Sequence, residues 1–142
     1  MAKAAEIIRA LDLAPHPEGG WYKETWRAEA AQGERPSGTA IYYLLEAGQR
    51  SHWHRIDATE IWLYHAGAPL ALSLSANGSD VTALTLGPDL TKGERPQAII
   101  PPDCWQAAEP LGPYTLVSCT VSPAFVFEGF EMAPPGWKPG ER

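Results

Sequence analysis

Apolar and polar residues follow a helical spacing in one stretch of this chain. Ala4, Ile7, Ile8 and Leu11 recur three and four apart, with Glu6, Arg9 and Asp12 on the other faces, so the pattern predicts a helix over 3–13. Pro15 and Pro17 stop it, and its apolar stripe is expected to lie on the outside of a sheet. Beyond Gly19-Gly20 the pattern changes to short runs of aromatic and β-branched residues divided by glycine and proline. Trp21–Ala28, Thr39–Leu45, Glu60–Ala66, Leu70–Ser75, Val81–Leu86, Ala98–Ile100, Tyr114–Val121 and Phe125–Glu131 read as strands. Asn77-Gly78 between two of them marks a hairpin, because a tight turn there needs positive φ. Strands in series with no helical pattern between them predict an all-β sandwich or barrel over 19–133. No composition break divides the chain, so 1–142 reads as a single domain, and the Pro/Gly-rich tail 134–142 is expected to be loosely held.

Composition narrows the function classes. The chain has 142 residues, 13 Gly and 14 Pro, which shorten segments and argue against a helical bundle. A net charge of −6 excludes a nucleic-acid surface and a polybasic membrane anchor. No apolar stretch approaches a membrane span and the amino terminus lacks a signal-peptide core, so the cytoplasm is the expected compartment. Of the two cysteines, Cys119 lies in an apolar run where a free thiol behaves as a small hydrophobe. Cys104 has no histidine beside it in sequence to activate it.

The concentrated chemistry lies in Ser51-His52-Trp53-His54-Arg55 and Glu60. On a strand, residues two apart share a face, so His52 and His54 can converge, and a turn over 56–59 can bring Glu60 to them. Two imidazoles and a carboxylate with open positions suit a divalent transition metal, Fe, Mn, Ni or Zn. A structural or surface pair of histidines has the same spacing. Trp62, Trp105 and Phe125 could form an aromatic pocket wall for a small-molecule ligand, or simply pack the core. Arg55 could clamp an anion or pair with Asp57 or Glu60. His16, between two prolines, reads as a loop residue bonded to nearby backbone, and Gly19-Gly20 as a turn or close strand crossing.

These residues also carry a resemblance. Gly48, His52-x-His54, Glu60 and Gly67 resemble the first signature of the cupin superfamily. The second is less complete, with Asp103 where it has glycine and Gln106 where it has histidine. More specifically, Pro15-His16-Pro17-Glu18-Gly19-Gly20-Trp21-Tyr22, Ser51-x-x-His54-Arg55, Glu60-Ile61-Trp62, Ile100-Pro101 with Trp105-Gln106, and Cys119-Thr120-Val121-x-Pro123 recur in the order of a cupin family of unknown function. That family resembles deoxysugar-nucleotide epimerases in fold. The resemblance implies a double-stranded β-helix (cupin jelly roll) with a short N-terminal α-helix, a homodimer, and a pocket in the barrel. It implies a metal set of His52, His54, Glu60 and Gln106. The epimerase likeness implies instead a metal-free site with His54 as base, Glu60 orienting it, and Tyr64, Tyr43 or Tyr114 as acid. Glu18 and Glu24 then line the pocket with Arg55, Trp62, Trp105 and Phe125. A non-catalytic ligand-binding dimer is the third reading.

Overall fold

The structure is a computed structural model and describes residues 2–140. One helix, α1 (Ala4–Ala10), precedes strands β1 (Ala14–Pro15), β2 (Trp21–Arg27), β3 (Thr39–Glu46), β4 (Ser51–Ile56), β5 (Thr59–Gly67) and β6 (Leu70–Ser75). These lead into β7 (Thr82–Leu86), β8 (Gln97–Ile100), β9 (Trp105–Pro110), β10 (Tyr114–Ser122) and β11 (Phe130–Met132). They form two antiparallel sheets, ordered β1-β2-β3-β10-β5-β8 and β11-β4-β9-β6-β7. Strands adjacent in sequence repeatedly fall in opposite sheets, as in a jelly roll. Tyr43, Trp62 and Val117 of one sheet meet Leu70, Leu72 and Leu86 of the other in the interior.

Local burial explains the strand patterns. β3 is buried on both faces: Tyr43 and Leu45 point into the barrel while Leu44 lies under Ile7 and Leu13 of the helical segment. Its sequence accordingly lacks the alternation of a half-exposed strand. The helix is shorter than its periodicity predicts, because Asp12 takes a left-handed φ of 56° and ends it ahead of the prolines. β9 carries no strand signal in its Gln-Ala-Ala-Glu centre, yet it pairs with both β4 and β6, and that pairing overrides propensity. Of the strand expected over 125–131, only its end pairs, as Phe130–Met132 with β4. Residues before it form a loop over the barrel rim, held by Arg35 bonding the Ala124 carbonyl at 2.9 Å and by Phe125 N–H donating to Thr39 at 3.1 Å. Asn77-Gly78 does lie between paired strands, within the longer loop joining β6 to β7, with Gly78 at φ +76°.

The tail differs from its expectation. Trp137 packs its ring 4.7 Å from Trp105 and edge-on to Trp53, and Gly140 N–H donates to the Gly78 carbonyl at 2.8 Å. Apolar indole area outweighs the flexibility that Pro/Gly content signals. The last two residues of that tail lie outside the described residues. Trp137→Ala should therefore lower unfolding free energy by about 2 kcal/mol, read from urea denaturation; no change would mean the tail is not docked in solution.

Candidate functional site

A cavity of about 210 Å³ opens inside the barrel between β2, β3, β4, β5 and β10. Ile41, Ile56, Val121, Phe125 and Phe130 make its apolar wall; His16, Glu18, Tyr43, His54, Glu60 and Cys119 carry its polar chemistry, and Glu24 and Arg27 stand among its lining residues from the exposed β2.

Backbone geometry selects which histidine enters. Ser51 pairs with Ala108 and His54 with Gln106, so β4 uses three steps where β9 uses two. That extra residue is a bulge, and it flips the facing of everything beyond it. Ser51 and His54 both point inward and are buried, although they stand three apart. His52 is turned outward, where its Nε2 lies 3.0 Å from the Pro134 carbonyl. The two-apart convergence of His52 and His54 expected from strand period does not occur.

His54 is fixed by its own strand. Its Nδ1 sits 2.7 Å from the His52 carbonyl, and a carbonyl only accepts, so Nδ1 carries the hydrogen. Nε2 is then the nitrogen free to gain or lose a proton, and it stands 3.4 Å from Glu18 Oε2. Ser51 donates to the other Glu18 oxygen at 2.8 Å. Glu18 arrives there because Gly19 and Gly20, at φ +112° and +81°, press against the backbone of Arg50 and Leu44 where any Cβ would collide. His16 accepts the Glu18 N–H at 3.0 Å, and burial lowers its pKa, keeping that ring neutral.

Glu60 is the second acid–base group. Trp62 Nε1 donates to Gln106 Oε1 at 2.8 Å, which turns the Gln106 amide so that its nitrogen donates to Glu60 Oε1, also at 2.8 Å. Burial dominates its titration. Loss of water raises the Glu60 pKa from 4.5 to about 7, with the Glu18 charge adding to the rise and the His54 charge and Gln106 donor opposing it. Burial likewise pushes the Cys119 thiol and the Tyr43 phenol well up, so both stay protonated, and Tyr43 donates to the Gly19 carbonyl.

Several expected site residues lie elsewhere. Tyr64 shares the inward face of β5 but stands four residues past Glu60, about 13 Å along the strand; its hydroxyl donates to the Gly67 carbonyl at 2.6 Å. Tyr114 bonds the Ala2 carbonyl, beside the helix. Trp62 is a core residue, not a wall of the cavity. Trp105 lies on the outer face with Trp137, and Arg55 stacks on it at 4.7 Å while pairing with Glu131 at 2.8 Å, not with Asp57 or Glu60. Glu18, Glu24, His54, Glu60 and Phe125 do line the cavity. Tyr43, one of the three candidate acids, and Cys119, from the Cys119-Thr120-Val121-x-Pro123 motif, line it as well, and Arg27 joins them from β2.

The expected metal set does not fit. His52 faces away, and Gln106 gives its amide nitrogen to Glu60 and its oxygen to Trp62, which leaves only His54 Nε2 and Glu60 of that set facing the cavity. Among the described residues, no three His, Cys, Asp or Glu side chains are gathered as a metal site.

Comparison with known proteins gives the family. The profile of the cupin superfamily (DUF985) matches residues 5–133. This chain belongs to the cupin superfamily. A Shewanella oneidensis protein solved by X-ray crystallography is 38% identical, with a TM-score of 0.89 over 94% of this chain and 85% of that one. A hypothetical protein from Leishmania major is 32% identical, with a TM-score of 0.83 over 93% of this cupin and 88% of its own chain. Oxalate decarboxylase from Bacillus subtilis, a protein with Mn(II) centres, shares the fold at 12% identity and a TM-score of 0.65, over 86% of this chain and 30% of its own. No curated protein matches this cupin in sequence. No helix among the described residues is long and apolar enough to cross a membrane.

The titration of Glu60 has a measurable consequence. Folded, this carboxyl keeps its proton up to about pH 7, whereas in the unfolded chain it ionises near 4.5. The folded state thus holds the extra proton between those values, and the group's contribution to stability is full below 4.5 and lost as pH rises through about 7. A rise of that size amounts to about 3 kcal/mol. Glu60→Gln keeps an acceptor for Gln106 and removes the titration, so between acid and mildly alkaline pH the variant should gain about that much on the wild type in urea unfolding. Parallel pH profiles would contradict a buried, proton-holding Glu60.

Proposed function

We propose that this cupin is a metal-independent enzyme of the isomerase or epimerase kind, moving protons on a small carbonyl compound inside the barrel. One observation supports this above the rest: the His54 ring is fixed through Nδ1 so that Nε2, the nitrogen able to take a proton, faces the cavity beside Glu18. A base needs that combination of fixed orientation, a titratable atom exposed to the ligand, and a carboxylate to hold the resulting cation.

The step follows from these groups. His54 Nε2 removes a proton from the carbon next to the substrate carbonyl, and Glu18 stabilises the imidazolium that forms. Glu60, protonated up to about pH 7, gives its proton to the carbonyl oxygen as negative charge develops there. Delivery of that proton from His54 to the former carbonyl carbon, with Glu60 taking the proton of the neighbouring hydroxyl, isomerises an α-hydroxy carbonyl compound and restores both groups, while return to the original carbon gives exchange alone. Desolvation by Ile41, Val121 and Phe130 strengthens each interaction. Tyr64 has no part in this, being remote from the cavity.

The test is exchange of solvent deuterium into small ketones and keto-sugars, followed by NMR. The wild type should label the carbon next to the carbonyl, His54→Gln should lower the rate about 10²–10⁴-fold, and Tyr64→Phe should leave it unchanged. Binding without exchange across the panel would leave a ligand-binding protein in place of an enzyme.

A further inference from the structure

We infer that the barrel cavity rejects anions and takes a compact carbonyl- or amide-bearing molecule with an apolar body and no carboxylate or phosphate group. This deepens the proton-transfer reading and rests on it for the identification of the cavity as the ligand site.

The cavity carries three carboxyl groups, one guanidinium and two imidazoles, and its one fixed cation is already matched within the wall. Arg27 meets Glu24 through two nitrogens, at 2.6 and 3.3 Å, and spends its third on the Phe125 carbonyl at 3.2 Å. Glu18 takes the Ser51 hydroxyl on one oxygen and faces His54 Nε2 with the other. His16 is a neutral ring accepting a backbone N–H. Glu60 lies fully buried with an amide donor and no cation bonded to it. An anionic ligand entering here would lose its water and find no unmatched cation, which costs far more than burying a neutral polar group that makes one hydrogen bond.

Size points the same way. About 210 Å³ holds roughly seven water-sized groups, enough for a single ring with one polar substituent and too little for a nucleoside diphosphate. Groups within the ligand that can accept from Glu60 and present a proton to His54 are neutral carbonyl functions.

Two probes of matched shape separate the possibilities: cyclohexanecarboxamide and cyclohexanecarboxylate, titrated calorimetrically into the full chain at pH 6.5. Saturable binding of the carboxamide is expected, with an affinity for the carboxylate weaker by roughly tenfold or more. Glu24→Gln, at the solvent-exposed rim, releases the Arg27 guanidinium and should raise carboxylate affinity to that of the carboxamide, while Arg27→Met should not. Carboxylate binding as tightly as the carboxamide in the wild type overturns the inference, and so does saturation by neither at millimolar concentration. The two readings fail differently. Carboxamide selectivity without deuterium exchange into any ketone would remove the enzyme and leave charge selection standing; exchange confined to anionic keto acids would do the reverse.

Discussion

Between Ser51 and His54 the fourth strand carries one residue more than the ninth strand beside it, and the facing of every later side chain on β4 follows from that insertion. Without it, strand alternation would place His52 with His54 on one face and send Ser51 to the other. With it, Ser51 and His54 enter the barrel together and both reach Glu18. The carbonyl of the displaced His52 is left where the His54 ring can donate to it at 2.7 Å. Bulge, tautomer and carboxylate partner are thus one arrangement, and the outward turn of His52 is part of it.

The second constraint is water exclusion. Glu60 and Gln106 lie buried in a barrel whose neighbours are largely aliphatic and aromatic. An unpaired carboxylate there is costly, so the carboxyl keeps its proton into the neutral range, and the Trp62–Gln106 hydrogen bonds fix which oxygen is free. The amide stands where other cupins have a histidine, and its orientation toward Glu60 suits a hydrogen-bonded acid better than a metal ligand. Oxalate decarboxylase, a protein with Mn(II) centres, shares this fold at 12% identity, and a shared fold does not fix the chemistry mounted on it.

Much of the fold was legible in the chain. The three-four spacing of Ala4, Ile7, Ile8 and Leu11 located the helix, and alternating apolar runs located most strands. Gly19-Gly20 announced a close backbone approach, and that approach delivers Glu18 to the site. The site was legible only in part. Of the expected residues, His54, Glu60, Glu18, Glu24 and Phe125 line the cavity, but a bulge leaves no residue signature in Ser51-His52-Trp53-His54, so period-two spacing groups His52 with His54 where the strand turns it outward. Arg55 and Trp105 look like pocket residues by type; their positions on the outer surface depend on the facing of β4 and β9, and β9 has too little strand propensity to announce itself. Tyr64 had the right face and the wrong distance.

Proton transfer in this cavity turns on the state of one ring. Two-bond ¹H–¹⁵N correlation spectra of the protein, with His54 assigned through the His54→Gln variant, report which imidazole nitrogen holds the hydrogen. The structure requires the neutral tautomer protonated at Nδ1, with Nε2 the bare nitrogen. A neutral His54 protonated at Nε2, with Nδ1 bare, would mean that the ring does not donate to the His52 carbonyl and offers the cavity no base, and the proton-transfer account would fail.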